Sequence, residues 1–293
     1  MIIDSHAHYN NHAFQKTFRY LAWDQTGYIL KDGDRNQLLD ALAQAQIPYS
    51  IEPGIHMESS AQVLQLCATY PDRLFPAVGV HPTRAITENW ADRQQLAHLA
   101  AEPPVIAIGE CGLDYHFPRK EQHRAKQHLW FFYQLHLARK FQKPVILHVR
   151  NAHEDILRIL RLHPAHKLGG VVHCFCAGWE IAEQYLALGY HIGIGGALLQ
   201  QPDRAQELWD AVRRIPLDRI LVETDAPYIL PYCKDTLPSK QLRRARNSSL
   251  ILPKVIEKIA QLKGICAQDV ETATAENTIR LFHLPISSGS SAP

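Results

Sequence analysis

The sequence predicts an α/β protein whose single domain is a (β/α)8 barrel of the TIM type. Three observations favour this fold. Short runs rich in valine and isoleucine recur eight times, each followed by a longer amphipathic segment, which is the alternation expected of a parallel sheet. Eight such units fit a chain of 293 residues, because barrels of this kind typically take about 250 residues. No Gly-x-Gly-x-x-Gly motif follows the first run, which disfavours an open, doubly wound sheet.

Each strand is predicted where a short apolar run lies between turn-forming residues, and each helix where apolar residues recur at helical spacing. The strands are expected near residues 2–6, 48–52, 75–80, 104–109, 144–148, 170–173, 191–194 and 219–223. The helices are expected near residues 35–46, 59–70, 88–101, 119–142, 152–162, 178–188, 203–214 and 247–262, with a last one at 267–282 on the outside of the barrel.

Two long connections interrupt this alternation. Residues 12–34 follow the first strand and are rich in aromatic residues, so they are predicted to form an irregular lid that narrows the barrel mouth. Residues 226–246 form a second irregular connection after the eighth strand. The barrel domain is expected to span residues 1–286, and the small polar tail at 287–293 is expected to be disordered.

Composition limits the classes of function. Hydrophobic residues make up 46% of the chain and charged residues 20%, as in ordinary globular proteins. The net charge of +2 provides no global basic field, so a nucleic-acid interface would have to be local. Six cysteines without a Cys-x-x-Cys pair are typical of reduced thiols. Neither a signal peptide nor an apolar run of roughly 18 residues is present. We therefore expect a cytoplasmic protein that does not bind membranes.

Polar residues end several of the predicted strands. His6 and His8 alternate on the first strand, so both imidazoles point to one side. An acid or a histidine ends four later strands as well, and the carboxyl ends of barrel strands surround one mouth. The predicted metal ligands are His6, His8, Glu110, His148, His173 and Asp225.

Nitrogen and carboxylate ligands without thiolates suit Zn²⁺, Mn²⁺, Fe²⁺ or Mg²⁺. Six ligands exceed the three or so of one catalytic zinc site, so two divalent ions are predicted. The histidines of the first strand share one ion with Asp225, those of the fifth and sixth strands hold the other, and Glu110 lies between them. Paired ions about 3.5–4 Å apart activate a bridging water. Glu110 and Asp225 are the predicted catalytic residues, and Asp225 is expected to take the proton of that water.

Substrate contacts are predicted next to these ligands. His81 ends the third strand and either contacts a substrate phosphate or bonds a neighbouring loop. Arg150 either pairs with phosphate or supports Glu110. Arg243 and Arg244 lie in a basic segment that either grips a phosphate backbone or is a solvated loop. Aromatic residues near the mouth that suit base stacking are Tyr9, Phe117, Trp179, Tyr228 and Tyr232.

The strand-end motifs also resemble a known family. They are Asp-x-His-x-His at 4–8, Gly-Val-His-Pro at 79–82, Gly-Glu-x-Gly-Leu-Asp at 109–114, His-x-Arg at 148–150, His-Cys-Phe at 173–175 and Glu-Thr-Asp-Ala-Pro-Tyr at 223–228. In this order they resemble the TatD-related metal-dependent hydrolases of the amidohydrolase-like barrel superfamily, over residues 1 to about 282. The resemblance implies a barrel with two or three ions (Mg²⁺, Mn²⁺ or Zn²⁺), the same six ligands, and hydrolysis of DNA phosphodiesters, usually 3′→5′.

The sequence departs from that family at one motif. Members often carry Arg-Asn-Glu-Pro after the basic segment, whereas this chain has Arg246-Asn247-Ser248-Ser249. Loss of the acid counts against a third ion, and Glu223 either binds such an ion or, as we favour, is a structural carboxylate. Three functions remain open: a phosphodiesterase acting on DNA, which the basic segment favours; a hydrolase of a small amide, lactone or phosphoester, which an aromatic lid favours; and a non-enzymatic subunit of a larger assembly.

Overall fold

The computed structural model describes residues 1–116, 121–163 and 167–286. Phe117 and the tail 287–293 lie outside these ranges, and the boundary of the barrel domain at residue 286 stays a prediction. Within the described ranges there are eleven strands: β1 (Ile3–Asp4), β2 (Phe18–Trp23), β3 (Tyr28–Gly33), β4 (Tyr49–Pro53), β5 (Leu74–Val78), β6 (Ala107–Asp114), β7 (Val145–Arg150), β8 (Gly170–Val172), β9 (His191–Ile194), β10 (Ile220–Val222) and β11 (Ala245–Arg246).

The same part of the chain contains ten α-helices. They are α1 (Arg35–Gln44), α2 (Met57–Thr69), α3 (Arg93–Ala101), α4 (Glu121–Phe141), α5 (His153–Leu162), α6 (Trp179–Ala187), α7 (Pro202–Arg214), α8 (Ser239–Leu242), α9 (Leu252–Lys263) and α10 (Ala267–Phe282). No helix in the described ranges is long and apolar enough to cross a membrane.

Eight of the strands form one parallel barrel. Their order around the sheet is β1-β4-β5-β6-β7-β8-β9-β10, and each neighbouring pair is parallel. The residues after β10 close the ring against β1: Ser5 N–H donates to the Val222 carbonyl at 2.9 Å, and Ala7 bridges Ala226. The predicted (β/α)8 class is therefore confirmed.

An apolar layer fills the lower part of the barrel. Ile3, Ala107, Ile146 and Leu221 belong to one buried cluster together with Phe282 of α10. Each of these strand residues precedes a polar strand-end residue by only a few positions. The strands therefore carry apolar packing at their amino ends and polar groups at their carboxyl ends, as expected for a barrel with its site at one face.

The prediction of an irregular connection is wrong for residues 12–34, whereas residues 226–246 are irregular apart from α8 and β11. In the first, β2 and β3 form an antiparallel hairpin; in the second, β11 pairs parallel to β2, which gives a small three-stranded sheet. The hairpin is fastened to the barrel because the Ser248 hydroxyl donates to the Leu21 carbonyl at 2.6 Å. Its residues Phe18, Tyr20 and Leu21 are buried in the main core. The hairpin therefore packs on the barrel, and none of residues 18–33 lines the cavity at the barrel mouth, whereas His12 and Gln15 of the same connection do.

Candidate metal centre and active-site cavity

A bulge in β6 directs Glu110 into the barrel. The β6–β7 register advances three residues on β6, from Ile108 to Cys111, against two on β7, and bulges of this kind re-aim a side chain. Gly109 precedes Glu110 with φ of +157°, and a Cβ there would come within 2.7 Å of the Ile146 carbonyl oxygen. Only glycine fits this backbone, so the Gly-Glu pair itself places the carboxylate inside the barrel.

One oxygen of Glu110 faces a first group of side chains. The Nε2 atoms of His6 and His8 lie 3.2 Å apart. Asp225 Oδ1 lies 3.6 Å from the first of these nitrogens and 3.3 Å from the second. Glu110 Oε2 lies 3.5 Å and 3.7 Å from the same two atoms. Two imidazoles and two carboxylates thus converge on a single point below the mouth.

The other oxygen of Glu110 faces a second group. Glu110 Oε1 lies 2.8 Å from His148 Nδ1 and 3.0 Å from His173 Nε2. His81 Nε2 lies 3.4 Å from the same oxygen. The carboxylate therefore stands between the two groups with one oxygen turned to each.

Among the described residues, three overlapping groups have ligand atoms within 4.8 Å of one another and could hold a metal ion. They are His6, His8 and Asp225; His6, Glu110 and His173; and His81, Glu110 and His148. Because the groups share members, their atoms form one continuous set of nitrogen and carboxylate donors. Such donors suit divalent cations.

Hydrogen bonds decide which ring nitrogen of His8 and of His81 carries the proton when these rings are neutral, whereas His148 can adopt either tautomer. His8 Nδ1 lies 3.2 Å from the Pro53 carbonyl, which only accepts, so Nε2 is left bare toward the site. His148 lies between two carboxylates, with Nδ1 2.8 Å from Glu110 Oε1 and Nε2 3.1 Å from Asp114 Oδ2. When the proton is on Nε2, toward Asp114, Nδ1 is bare and can bind a cation. His81 is the opposite case, because the Thr83 N–H donates to its Nδ1 at 3.1 Å. Its Nε2 therefore carries a proton and is a donor.

The electrostatics of the site follow from burial and from this crowding. Burial by itself would raise the pKa of Glu110, but the surrounding histidines, first His173 and His81, hold that pKa well below its ordinary value. Burial opposes a charge on His173, yet the neighbouring carboxylates raise its pKa well above the usual range. Burial lowers the pKa of His6, helped by the charge of His173. The site thus holds a carboxylate that stays ionised among imidazoles of differing basicity.

Asp4 supports the two strand ends that carry the first group. Its Oδ1 accepts the backbone N–H of His6 and of Thr224, both at 3.1 Å. Its Oδ2 accepts the hydroxyls of Thr224 at 2.6 Å and Ser249 at 2.5 Å. Burial raises the pKa of Asp4 to about 7 in spite of these bonds. Asp4 therefore ties β1 to the segment before Asp225 through the backbone and not through the imidazoles.

Above this floor lies a cavity of about 1270 Å³. Arg84, Arg150 and Arg204 line it, and all three are exposed. Their guanidinium groups have no hydrogen-bond or ion-pair partner within the described part of the chain. Tyr228 also lines the cavity; its ring is 49% exposed, and its hydroxyl accepts from Asn11 Nδ2 at 2.8 Å. The wall therefore offers free positive charge and one accessible aromatic face.

Comparisons with known proteins agree with this arrangement. The family described as TatD related DNase matches residues 3–283. The chain belongs to the TatD-related DNase family. A protein of Pectobacterium carotovorum subsp. carotovorum (strain PC1) named 3′-5′ ssDNA/RNA exonuclease TatD is 37% identical over 254 residues, which cover 86% of this chain and 94% of that protein.

Two further relatives cover almost the whole chain. A Bacillus subtilis (strain 168) protein named uncharacterized metal-dependent hydrolase YabD is 28% identical over 284 residues, which cover 97% of this chain and 100% of that protein. The crystal structure of YJJV, a TatD homologue from Escherichia coli K12, superimposes with a TM-score of 0.81 at 30% identity, covering 97% of this chain and 98% of that one. The TatD-family barrel therefore extends over nearly the full length.

In this TatD-family chain, the site residues predicted from strand ends come together. The predicted ligands meet at the cavity floor in the two groups described above. Of the predicted substrate contacts, His81 and Arg150 line the cavity, and Arg150 makes no bond to Glu110 in the described ranges. Arg243 and Arg244 are exposed beyond α8 and do not line it.

The sequence pattern did not single out Arg84 and Arg204 in this TatD-family site. Arg84 lies in the loop after β5, and Arg204 lies in the first turn of α7, after β9. Both lie in connections that follow barrel strands, but several residues beyond the strand end, so the strand-end pattern does not include them. The aromatic prediction was also too broad: among its described members only Tyr228 lines the cavity, whereas Tyr9 is fully buried.

Proposed function

We propose that this protein is a divalent-metal-dependent phosphodiesterase that removes nucleotides from the 3′ end of single-stranded DNA. The observation that carries this proposal is the position of Glu110 between two groups of imidazole nitrogens, at the floor of a cavity walled by free arginines. Free thiols throughout the described residues also support a cytoplasmic location.

The residues fit a pair of ions. His6, His8 and Asp225 would hold one ion. His148 of β7 and His173, which follows β8, would hold the other, and Glu110 would contribute to both. The bare Nε2 of His8, fixed by the Pro53 carbonyl, has the tautomer that a metal-binding histidine needs. Bound Mg²⁺, Mn²⁺ or Zn²⁺ ions would supply an activated water and neutralise charge on the phosphoryl oxygens.

Two ions fit this chain better than three. Ser248 stands where relatives often have an acid, and its hydroxyl bonds the Leu21 carbonyl. Glu223 accepts the Cys174 N–H and lies 3.5 Å from His173 Nδ1, as expected of a carboxylate that orients a ligand histidine. The Ser248 hydroxyl is therefore committed to the hairpin, and one oxygen of Glu223 to the Cys174 backbone and His173.

The chain's own groups can perform the remaining steps. The Asp225 side chain is 16% exposed, against 4% for Glu110, so it reaches the cavity and can accept the proton of the attacking water. His81 presents an Nε2–H, which can donate to a non-bridging phosphoryl oxygen. Arg150 at the wall can pair with the same phosphate, since its fork matches phosphate geometry.

A nucleic-acid strand suits the cavity better than a small ester or lactone. Its volume of about 1270 Å³ exceeds the roughly 300–1,000 Å³ of small-molecule sites. Tyr228 offers a ring for base stacking, which accepts any unpaired base. The aromatic hairpin does not cover the mouth, so the described part of the chain lacks the aromatic lid that would favour a small substrate. The Pectobacterium relative is named as an exonuclease of single-stranded DNA and RNA.

The test is cleavage of labelled single-stranded DNA with and without EDTA, followed by addition of Mg²⁺, Mn²⁺ or Zn²⁺. We expect a ladder of products shortened from the 3′ end, loss of activity in EDTA and recovery with metal. A phosphorothioate linkage at the 3′ end should slow the reaction, whereas the same linkage at the 5′ end should not. Asp225→Asn serves as the inactive control. Cleavage that persists in EDTA, or a protein that hydrolyses only lactones and small esters, would contradict the proposal.

A further inference from the structure

The catalytic cavity continues into a smaller groove on the same face of the barrel. Gln200 and Arg204 line both spaces, so the two are adjacent. The groove measures about 250 Å³ and runs between the start of α7 and residues 230–234. Its far wall includes Leu242 of α8. A chain that leaves the cavity past Arg204 therefore enters this groove.

Hydrogen bonds hold the groove open in a defined shape. Gln200 Nε2 donates to the Leu230 carbonyl at 3.0 Å, and Tyr232 N–H donates to the Leu199 carbonyl at 3.2 Å. The Tyr232 hydroxyl donates to Asp235 Oδ1 at 3.0 Å, which fixes the ring at the groove. The two walls are therefore joined to each other, so the groove exists before anything binds.

The charge of the groove is positive. Arg204 and Lys234 line it; both are exposed, and within the described ranges neither has an ion-pair partner. The exposed Arg243 and Arg244 come directly after Leu242. The nearby acid, Asp235, already accepts from Tyr232. Cations beside a fixed aromatic ring are the combination that binds single-stranded nucleic acid.

We propose that this groove binds the part of a single-stranded polynucleotide that lies outside the catalytic cavity. Arg204 and Lys234 contact backbone phosphates, and an unpaired base stacks on Tyr232. The inference rests on the proposed nuclease function and adds to it a second binding region, formed by residues 200–204, 230–234 and Leu242. Arg243 and Arg244, directly after Leu242, extend this binding region beyond the groove.

The test compares a dinucleotide with an oligonucleotide of about twelve residues, a length in the range that single-strand-binding grooves cover. Both substrates contain the same scissile linkage. In Tyr232→Ala the KM for the long substrate should rise roughly tenfold, as expected for one lost stacking contact. In Lys234→Gln the slope of log affinity against log salt should become shallower by about 0.7, the value for one phosphate contact on a single strand.

Kinetic constants for the dinucleotide should stay unchanged in both variants, because it does not reach the groove. Tyr232→Phe keeps the ring but loses the hydroxyl bond to Asp235, so its KM for the long substrate should rise much less than that of Tyr232→Ala. Arg139→Gln removes an exposed cation at the end of α4, near the opposite face of the barrel, and should change neither substrate's KM. Equal losses for the short and long substrates, or no loss for either, would overturn the groove assignment. A wild-type protein that cleaves neither oligonucleotide would instead overturn the nuclease function on which the inference rests.

Discussion

Replacing Asp114 with asparagine should remove the His148 tautomer that leaves Nδ1 bare, without removing any side-chain volume. Asp114 Oδ1 accepts the backbone N–H of His116 at 2.9 Å, so the amide oxygen of an asparagine should stay on that side. Its NH₂ group would then face His148 Nε2, which now lies 3.1 Å from Asp114 Oδ2. An NH₂ group only donates, so Nε2 must be bare and the proton must stay on Nδ1, toward Glu110, where it blocks a cation.

The size of the effect follows from the bond that is lost. A hydrogen bond to a charged group contributes about 1.5–3 kcal/mol, and 1.4 kcal/mol corresponds to a tenfold change in affinity. We therefore expect metal affinity to fall roughly 10–100-fold, the range found when groups that orient metal-binding histidines are removed. The fold should be preserved, because Gln127 also bonds the backbone N–H and carbonyl of Asp114, each at 2.9 Å.

Two measurements check this reasoning. Calorimetric titration with Mn²⁺ gives the affinity, and nitrogen-15 NMR of the imidazole rings reports which nitrogen of His148 carries the proton in the metal-free protein. Asp155→Asn is the control, because Asp155 accepts from Tyr115 instead of from a predicted ligand. Unchanged Mn²⁺ affinity in Asp114→Asn, or a His148 ring that keeps its proton on Nε2, would refute the role of Asp114.

Three further changes test other parts of the structure. Glu110→Ala should abolish activity and lower the affinity for both proposed ions. Glu58→Ala, which changes an exposed acid of the same cavity, should do neither. Turnover that persists in Glu110→Ala would count against a carboxylate shared by the two ions. Reversing the charge of Arg243 and Arg244 should weaken the binding of long single-stranded DNA and make that binding less dependent on salt. Unchanged affinity would show that these arginines are solvated and do not contact DNA. Burial and two nearby arginines lower the pKa of His191 to about 4, so the folded protein keeps this ring neutral while the unfolded chain protonates it near pH 6.5. Stability should then be lost as the pH falls, by about 2 kcal/mol between pH 7 and 5. Denaturant titrations of His191→Gln should show a weaker pH dependence, and an identical one would contradict this assignment.

The barrel could be predicted because its strands are buried on both faces. Such strands appear as continuous apolar runs, and the segment Val145-Ile146-Leu147 is an example that became part of β7. The convergence of the site residues followed from the same topology, since the residue after each apolar run must face the mouth. Because both residues follow apolar runs, ring nitrogens of His148 and His173 contact the same oxygen of Glu110.

The hairpin and the free arginines could not be predicted from that rule. The pairing of β2 with β11 joins residues 19–20 to 245–246, and no local pattern specifies so distant a partner. A local signal for the hairpin itself was present, because Phe18–Trp23 and Tyr28–Gly33 flank a short turn that contains Gly27. Arg84 and Arg204 lie in segments whose conformation depends on packing, so their meeting at one cavity is visible only in three dimensions.

The strands whose apolar residues stabilise the barrel also carry buried ionisable groups that lower its stability. Ile146 and Leu221 fill the apolar floor, whereas His148, Glu110 and Asp225 place ionisable groups only a few residues further along. Burying such groups without partners costs several kcal/mol each, and in this site they face mainly one another. Cations that bind the folded chain and not the unfolded one would offset that cost in proportion to their occupancy. Function and stability therefore depend on the same side chains at the barrel mouth, so substitutions at Glu110 change both the activity and the stability of the fold.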